Sequence, residues 1–224
     1  MSSLLLWVCF LSSGLAYPVP DAKAVGEKLE ARYRGAQTLQ AAFLERYSEN
    51  GQIIRSEAGN AYFRRPGKMR WEYESPEKNT FLVDGKTAWF YVPADHTVTR
   101  APAKQSSDWR TPVALLAGEM KLSRICARLE AATDELPQTE ADSVLFCPLR
   151  GEDPKSRQSD ELYLEVSPEG DLARVVFRER GGVEVEFRFR NWQRNPPLPD
   201  SFFRFTVPLG VAIVDGDPSA QPTP

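Results

Sequence analysis

His96 is the one histidine of the 224-residue chain and the first place to look for proton-transfer chemistry. It follows Ala94-Asp95, where a hairpin tip is expected, and there it reads as a solvated turn residue rather than a general base. The carboxylate pairs Glu72/Glu74 and Glu184/Glu186 stand two residues apart. Paired carboxylates cleave glycosides, but this spacing describes the solvated side of a strand. No G-x-S-x-G, H-E-x-x-H, G-x-x-x-x-G-K-[ST] or G-x-G-x-x-G occurs, so the chain offers no signature for hydrolytic, zinc, phosphate-loop or dinucleotide chemistry. Cys126 and Cys147 have no neighbouring His and no C-x-x-C spacing, which leaves metal and redox catalysis unsupported. In an oxidising compartment the two either pair, closing a loop worth on the order of 3 kcal/mol, or lie buried as separate thiols. The reading is of a protein that is not an enzyme and needs no cofactor or metal.

What remains is binding. Aromatic and basic residues interleave over 62–73, a pattern that suits base stacking, yet 28 basic residues face 31 acidic ones and the net charge is −3. That balance argues against nucleic acid and against a polybasic membrane-surface role. Large apolar side chains are the stronger signal. In "RRPGKMRWEY" the residues past the Pro-Gly turn alternate, with Met69, Trp71 and Tyr73 on one strand face and Lys68, Arg70 and Glu72 on the other. In "TAWFYVP" three consecutive aromatics occupy both faces, and parity does not say whether Trp89 and Tyr91 or Ala88 and Phe90 turn inward. Such faces belong either to ordinary core or to an apolar pocket on a curved sheet that holds an oily ligand.

These side chains need elements to position them. Residues 1–16, "MSSLLLWVCFLSSGLA", have an apolar run from Leu4 to Leu11 and small residues before a cleavage site after Ala16. They read as a signal peptide that lacks a basic n-region, with a buried N-terminal helix as the alternative. Cys9 lies inside the apolar run and marks no lipid-attachment site. Asp21 is placed to cap an amphipathic helix carrying Val25, Leu29 and Tyr33 and ending near Gly35. Strands follow, joined at Asn50-Gly51, Ser75-Pro76-Glu77, Asp84-Gly85 and Ala94-Asp95-His96. "TPVALLAG" breaks the period: Thr111 caps, Pro112 starts and Gly118 ends a short helix over 112–117 whose Val113, Leu115 and Leu116 are apolar nearly all round, a natural buried lid. "RICARLEAA", "SVLFCPLR", "ELYLEVS", "LARVVFRE" and "VEVEFRFRNW" resume the strands. The expectation is a single mainly β (α+β) domain over 17–214 with a disordered tail at 215–224. It is expected to be a large curved antiparallel sheet of ten or eleven strands with few helices, which must close or be covered on its concave side.

The segments "YFRRPGKMRWEYESP", "VDGKTAWFYVP", "TPVALLAG" and "FRFTVPLGV" resemble, in order and spacing, the periplasmic outer-membrane lipoprotein carrier family, LolA, over nearly the whole mature chain; the middle, roughly 119–160, matches in pattern alone. The resemblance implies an incomplete β-barrel, lidded by the N-terminal helix and the short central helix, around an apolar cavity. It also implies a soluble periplasmic monomer that takes acylated lipoproteins from an inner-membrane ABC transporter to an outer-membrane acceptor. Arg65 matches the family arginine that latches the lid onto loop backbone, and Met69 takes the place of a family aromatic. The cysteines at 126 and 147 match no family role. Two alternatives share the fold: a carrier of another lipid, and an RseB-like sensor of stray lipoproteins, which would bring a further C-terminal domain. Met69, Trp71, Trp89, Tyr91, Val113, Leu115 and Leu116 are expected to line the cavity. Trp71→Glu is accordingly expected to abolish cargo binding and leave the sheet folded, because a cavity wall touches ligand rather than close-packed core.

Overall fold

The computed structural model describes residues 21–103, 116–117, 121–149, 160–179 and 181–216. The leader, Val113 and Leu115 of the expected lid helix, and the end of the tail lie outside the described residues. Helix α1 (Ala22–Tyr33) starts where its sequence says: the Asp21 carboxylate accepts from the backbone N–H groups of Lys23 and Ala24 at 3.0 and 3.3 Å. It buries Leu29 and Tyr33 and turns Lys23 and Glu27 to solvent.

Strands β1 (Thr38–Glu49) and β2 (Gln52–Arg64) form the long hairpin that Asn50-Gly51 announces. Both turn residues have positive φ, 49° and 79°, the mirror-image turn whose twist matches paired strands. There follow β3 (Lys68–Ser75), β4 (Thr80–Val83), β5 (Thr87–Val92), β6 (Thr97–Pro102), β7 (Glu130–Ala131), β8 (Ser143–Pro148), β9 (Glu161–Val166), β10 (Leu172–Arg178), β11 (Val183–Arg194) and β12 (Ala212–Asp215). All twelve belong to one sheet in the order β12-β6-β5-β4-β3-β2-β1-β11-β10-β9-β8-β7. The β1–β11 ladder joins the two halves of the chain, so the sheet is a continuous meander except at its ends.

Two features depart from the expectation. The edge strand β12 runs parallel to β6, because the chain first crosses the outer face as an extended segment and returns from the far side. "RICARLEAA" is not a strand: it forms a 3₁₀ turn at Leu122–Arg124, an isolated bridge from Cys126 to Leu149 and the two-residue β7. The segment bends because it must meet α1. The Leu122 N–H is held by Glu30 at 2.8 Å, and Leu129 approaches within 2.8 Å of where a side chain on Gly26 would begin. Cys126 and Cys147 are disulfide-bonded, tying this segment to β8.

The sheet is strongly curled. Trp71 on β3 and Phe187 on β11 are three strand spacings apart, about 14 Å in a flat sheet, yet their ring centroids are 5.2 Å apart. Small residues make the curl possible. Ala41, Ala61 and Trp71 lie in one row across β1, β2 and β3, so the indole has room over two alanines. In the next row Phe43 and Tyr73 flank Gly59 and meet edge-on at 5.2 Å across it. A Cβ on Gly59 would sit 1.9 Å from the Glu72 carbonyl oxygen, in backbone that cannot rotate away. Gly59→Ala is expected to lower stability by at least about 3 kcal/mol, read as a shifted denaturant midpoint; an unchanged midpoint would mean β2 and β3 are farther apart here.

Candidate functional site

The inner face of the sheet is the site candidate, and period-two alternation builds it. Leu39, Ala41 and Phe43 of β1, Ala61 and Phe63 of β2, and Met69, Trp71 and Tyr73 of β3 all point inward, with Val185, Phe187 and Phe189 of β11 opposite. Trp71 is at the centre, 0% exposed. Its ring centroid lies 4.8 Å from Phe43, 5.8 Å from Phe63, 5.2 Å from Phe187 and 6.2 Å from Phe189, edge-on or tilted in each case. Met69 shares this face and packs in the same cluster. Around Trp71, the expected empty apolar space is occupied by the protein's own rings. Phe43, Phe63, Phe187 and Phe189 were not singled out from the sequence, although alternation in "LQAAFLERYS", "QIIRSEAGNAYF" and "VEVEFRFRNW" carries them.

One end of this interior is closed by backbone hydrogen bonds from Arg65. At the end of β2 its guanidinium Nη1 donates to the Tyr33 carbonyl at the close of α1, at 3.0 Å, and its Nε to the Leu116 carbonyl at 3.4 Å. The Gly67 N–H donates to Ala117 O at 2.9 Å. Leu116 is buried in the interior cluster. The Tyr33 phenol, whose pKa burial pushes above its usual range, accepts from the Leu172 N–H at 3.0 Å, and its ring meets Trp192 edge-on at 5.2 Å. Arg65 therefore stitches α1, the segment around Leu116 and the mouth of the sheet to one another. The opposite end is polar: Glu45 continues the inward row of β1, is 1% exposed, accepts from the Tyr73 hydroxyl at 3.0 Å and has Arg55 3.8 Å away.

Trp89 and Tyr91 are not on this face. Ala88 and Phe90 turn inward, while Trp89 and Tyr91 sit outside, half-buried beneath Phe205 at 5.3 and 5.7 Å. The extended segment after β11 covers them, so aromatic residues fill both faces of β5 for two separate reasons. Glu186 is a second correction. It is buried on the outer face beside Arg174 rather than solvated, because residues 132–142 fold over that part of the sheet. His96 is exposed in the β5–β6 turn at φ 50°. Among the described residues no His, Cys, Asp or Glu cluster is arranged to hold a metal, and no helix is long and apolar enough to cross a membrane.

A single sheet curled until rings three strands apart touch, with a helix and a second segment pinned over one end by an arginine, defines an open β-barrel with a lidded apolar interior. The chain belongs to the family of the outer membrane lipoprotein carrier protein LolA, whose family model matches residues 34–206. It is similar to the outer-membrane lipoprotein carrier proteins of Nitrosomonas europaea, at 32% identity covering 94% of this chain and 96% of that one, and of Chromobacterium violaceum, at 31% identity covering 95% and 97%. The crystal structure of an uncharacterized conserved protein from Thermus thermophilus shares the fold, with a TM-score of 0.52 at 16% identity, covering 88% of this chain and 100% of that one.

Proposed function

We propose that the protein is a periplasmic, non-enzymatic carrier that shields the acyl chains of lipoproteins between its curled sheet and its lid. It would receive them from an inner-membrane ABC transporter and release them at the outer membrane. The observation that carries this reading is the interior packed around Trp71 beneath a latch made of reversible hydrogen bonds. Each methylene hidden from water is worth roughly 0.8 kcal/mol, so one long acyl chain needs about 10 kcal/mol of shielding. At rest the rings keep the interior dry by packing on one another. Loading exchanges ring–ring contacts for ring–methylene contacts, an exchange near balance, which lets a carrier both hold its cargo and give it up.

The latch sets that balance. Hydrogen bonds from a charged donor contribute about 1.5–3 kcal/mol each, and re-forming those of Arg65 favours the closed, emptied state. Arg65→Leu is therefore expected to take up acylated cargo and deliver it at least about tenfold more slowly in a transfer assay between membranes; transfer at the wild-type rate would place the latch elsewhere. Native mass spectrometry of the exported protein, purified without detergent, tests the function itself. Acyl-bearing adducts are expected and should accumulate on Arg65→Leu. Protein free of such adducts in both forms would contradict the carrier reading.

A further inference from the structure

The Trp71 indole N–H is fully buried and has no hydrogen-bond acceptor among the described residues. A buried indole nearly always finds a partner, since a donor left unpaired in an apolar setting costs about 1–3 kcal/mol. Two other indoles of the chain obey the rule. Trp89 Nε1 donates to Asp84 at 3.2 Å, and Trp192 Nε1, at the rim of the same interior, donates to the Leu172 carbonyl at 2.8 Å. The rings of Phe43, Phe63, Phe187 and Phe189 surround Trp71, and an aromatic ring is at most a weaker acceptor than a carbonyl oxygen. The hydroxyls of Tyr73 and Tyr33, which belong to the same buried cluster, are already engaged: that of Tyr73 with Glu45, and that of Tyr33 with the Leu172 N–H.

We infer that Trp71 Nε1 is the polar anchor of the binding site and donates its hydrogen bond to the carbonyl oxygen of an ester- or amide-linked acyl group. This rests on the proposed acyl-binding function and sharpens it: the site recognises acyl groups, not hydrocarbon in general. The chemistry is complementary. An acyl chain has one hydrogen-bonding group, the carbonyl of its linkage, and moving that carbonyl out of water without a donor is itself costly. Bringing an unpaired donor and an unpaired acceptor together relieves both costs, whereas an ether-linked alkyl chain of equal length offers only the weaker ether oxygen. The penalty stored in the empty protein thus becomes selectivity in the loaded one.

The test compares didecanoylglycerol with its ether-linked counterpart, didecylglycerol, on wild-type protein and on Trp71→Phe, with the Trp71 indole N–H followed by NMR on ¹⁵N-indole-labelled protein. Wild type is expected to bind the ester about fivefold more tightly than the ether. Its Trp71 N–H proton resonance should move downfield with the ester and not with the ether. Trp71→Phe should bind the ether and lose the preference. If Trp71→Phe folds poorly, a benzothienyl analogue at position 71 keeps the shape of the indole and removes the N–H, and the same loss of preference is expected. Equal affinity for both probes, with an unmoved N–H resonance, would overturn the anchor while leaving the carrier function intact. Binding of neither probe by folded wild-type protein would overturn the acyl-binding interior and the anchor with it.

Discussion

Trp71→Glu is expected to cost more than about 5 kcal/mol of folding free energy, a loss comparable with the whole stability of many domains. The indole touches four phenylalanines across the curled sheet and is 0% exposed. Removing it forfeits that packing, and a carboxylate in its place would meet aromatic rings and alanines in its row rather than a cation. From the sequence alone the substitution is expected to spare the fold, on the view that Trp71 borders an empty cavity. The packed interior reverses that expectation. Denaturant unfolding followed by near-ultraviolet circular dichroism reads the outcome, and a variant with native signal and midpoint would mean that the interior is open at rest.

Arg174→Ala is expected to cost about 3–5 kcal/mol, the penalty for removing one partner of a buried ionic cluster. Arg174 lies on the outer face of β10 and donates to Glu165 at 2.6 Å, Glu135 at 2.7 Å and the Leu136 carbonyl at 2.7 Å, with Glu186 at 3.5 Å. Glu165 is 2% exposed and also accepts from the Gln138 N–H, so the arginine holds residues 132–142 onto the sheet. Without it the buried Glu165 loses its salt-bridge partner, while Glu135 keeps Arg178 and Glu186 keeps Arg188 and Arg46. The expected signature is a lower midpoint together with faster proteolysis within 132–142. A change below about 0.5 kcal/mol would show that the cluster is solvated.

The sequence made the inner face legible and the outer face obscure, for a physical reason. A strand with one face on a core must alternate, and Met69, Trp71 and Tyr73 or Val185, Phe187 and Phe189 do so. Alternation reports that something covers a face and is silent on what does. On β5 both faces are covered, one by the interior and one by Phe205 from more than a hundred residues later, so parity could not assign Trp89 and Tyr91. Glu186 looked solvated because nothing in residues 132–142 announces that they return to cover it. The small residues that admit the rings, Ala41, Ala61 and Gly59, leave no pattern, since their contribution is the absence of a side chain. Arg65 was legible as a candidate through the resemblance of its motif, but its acceptors are backbone carbonyls, which any residue at 33 or 116 would supply.

Calorimetric titration of the purified protein with a triacylated lipopeptide, against the same peptide without its acyl groups, tests the acyl-carrier function most directly. Saturable one-to-one binding of the acylated peptide is expected, with the negative heat-capacity change of apolar burial, and no measurable binding of the bare peptide. Equal binding of both peptides, or of neither, would contradict it.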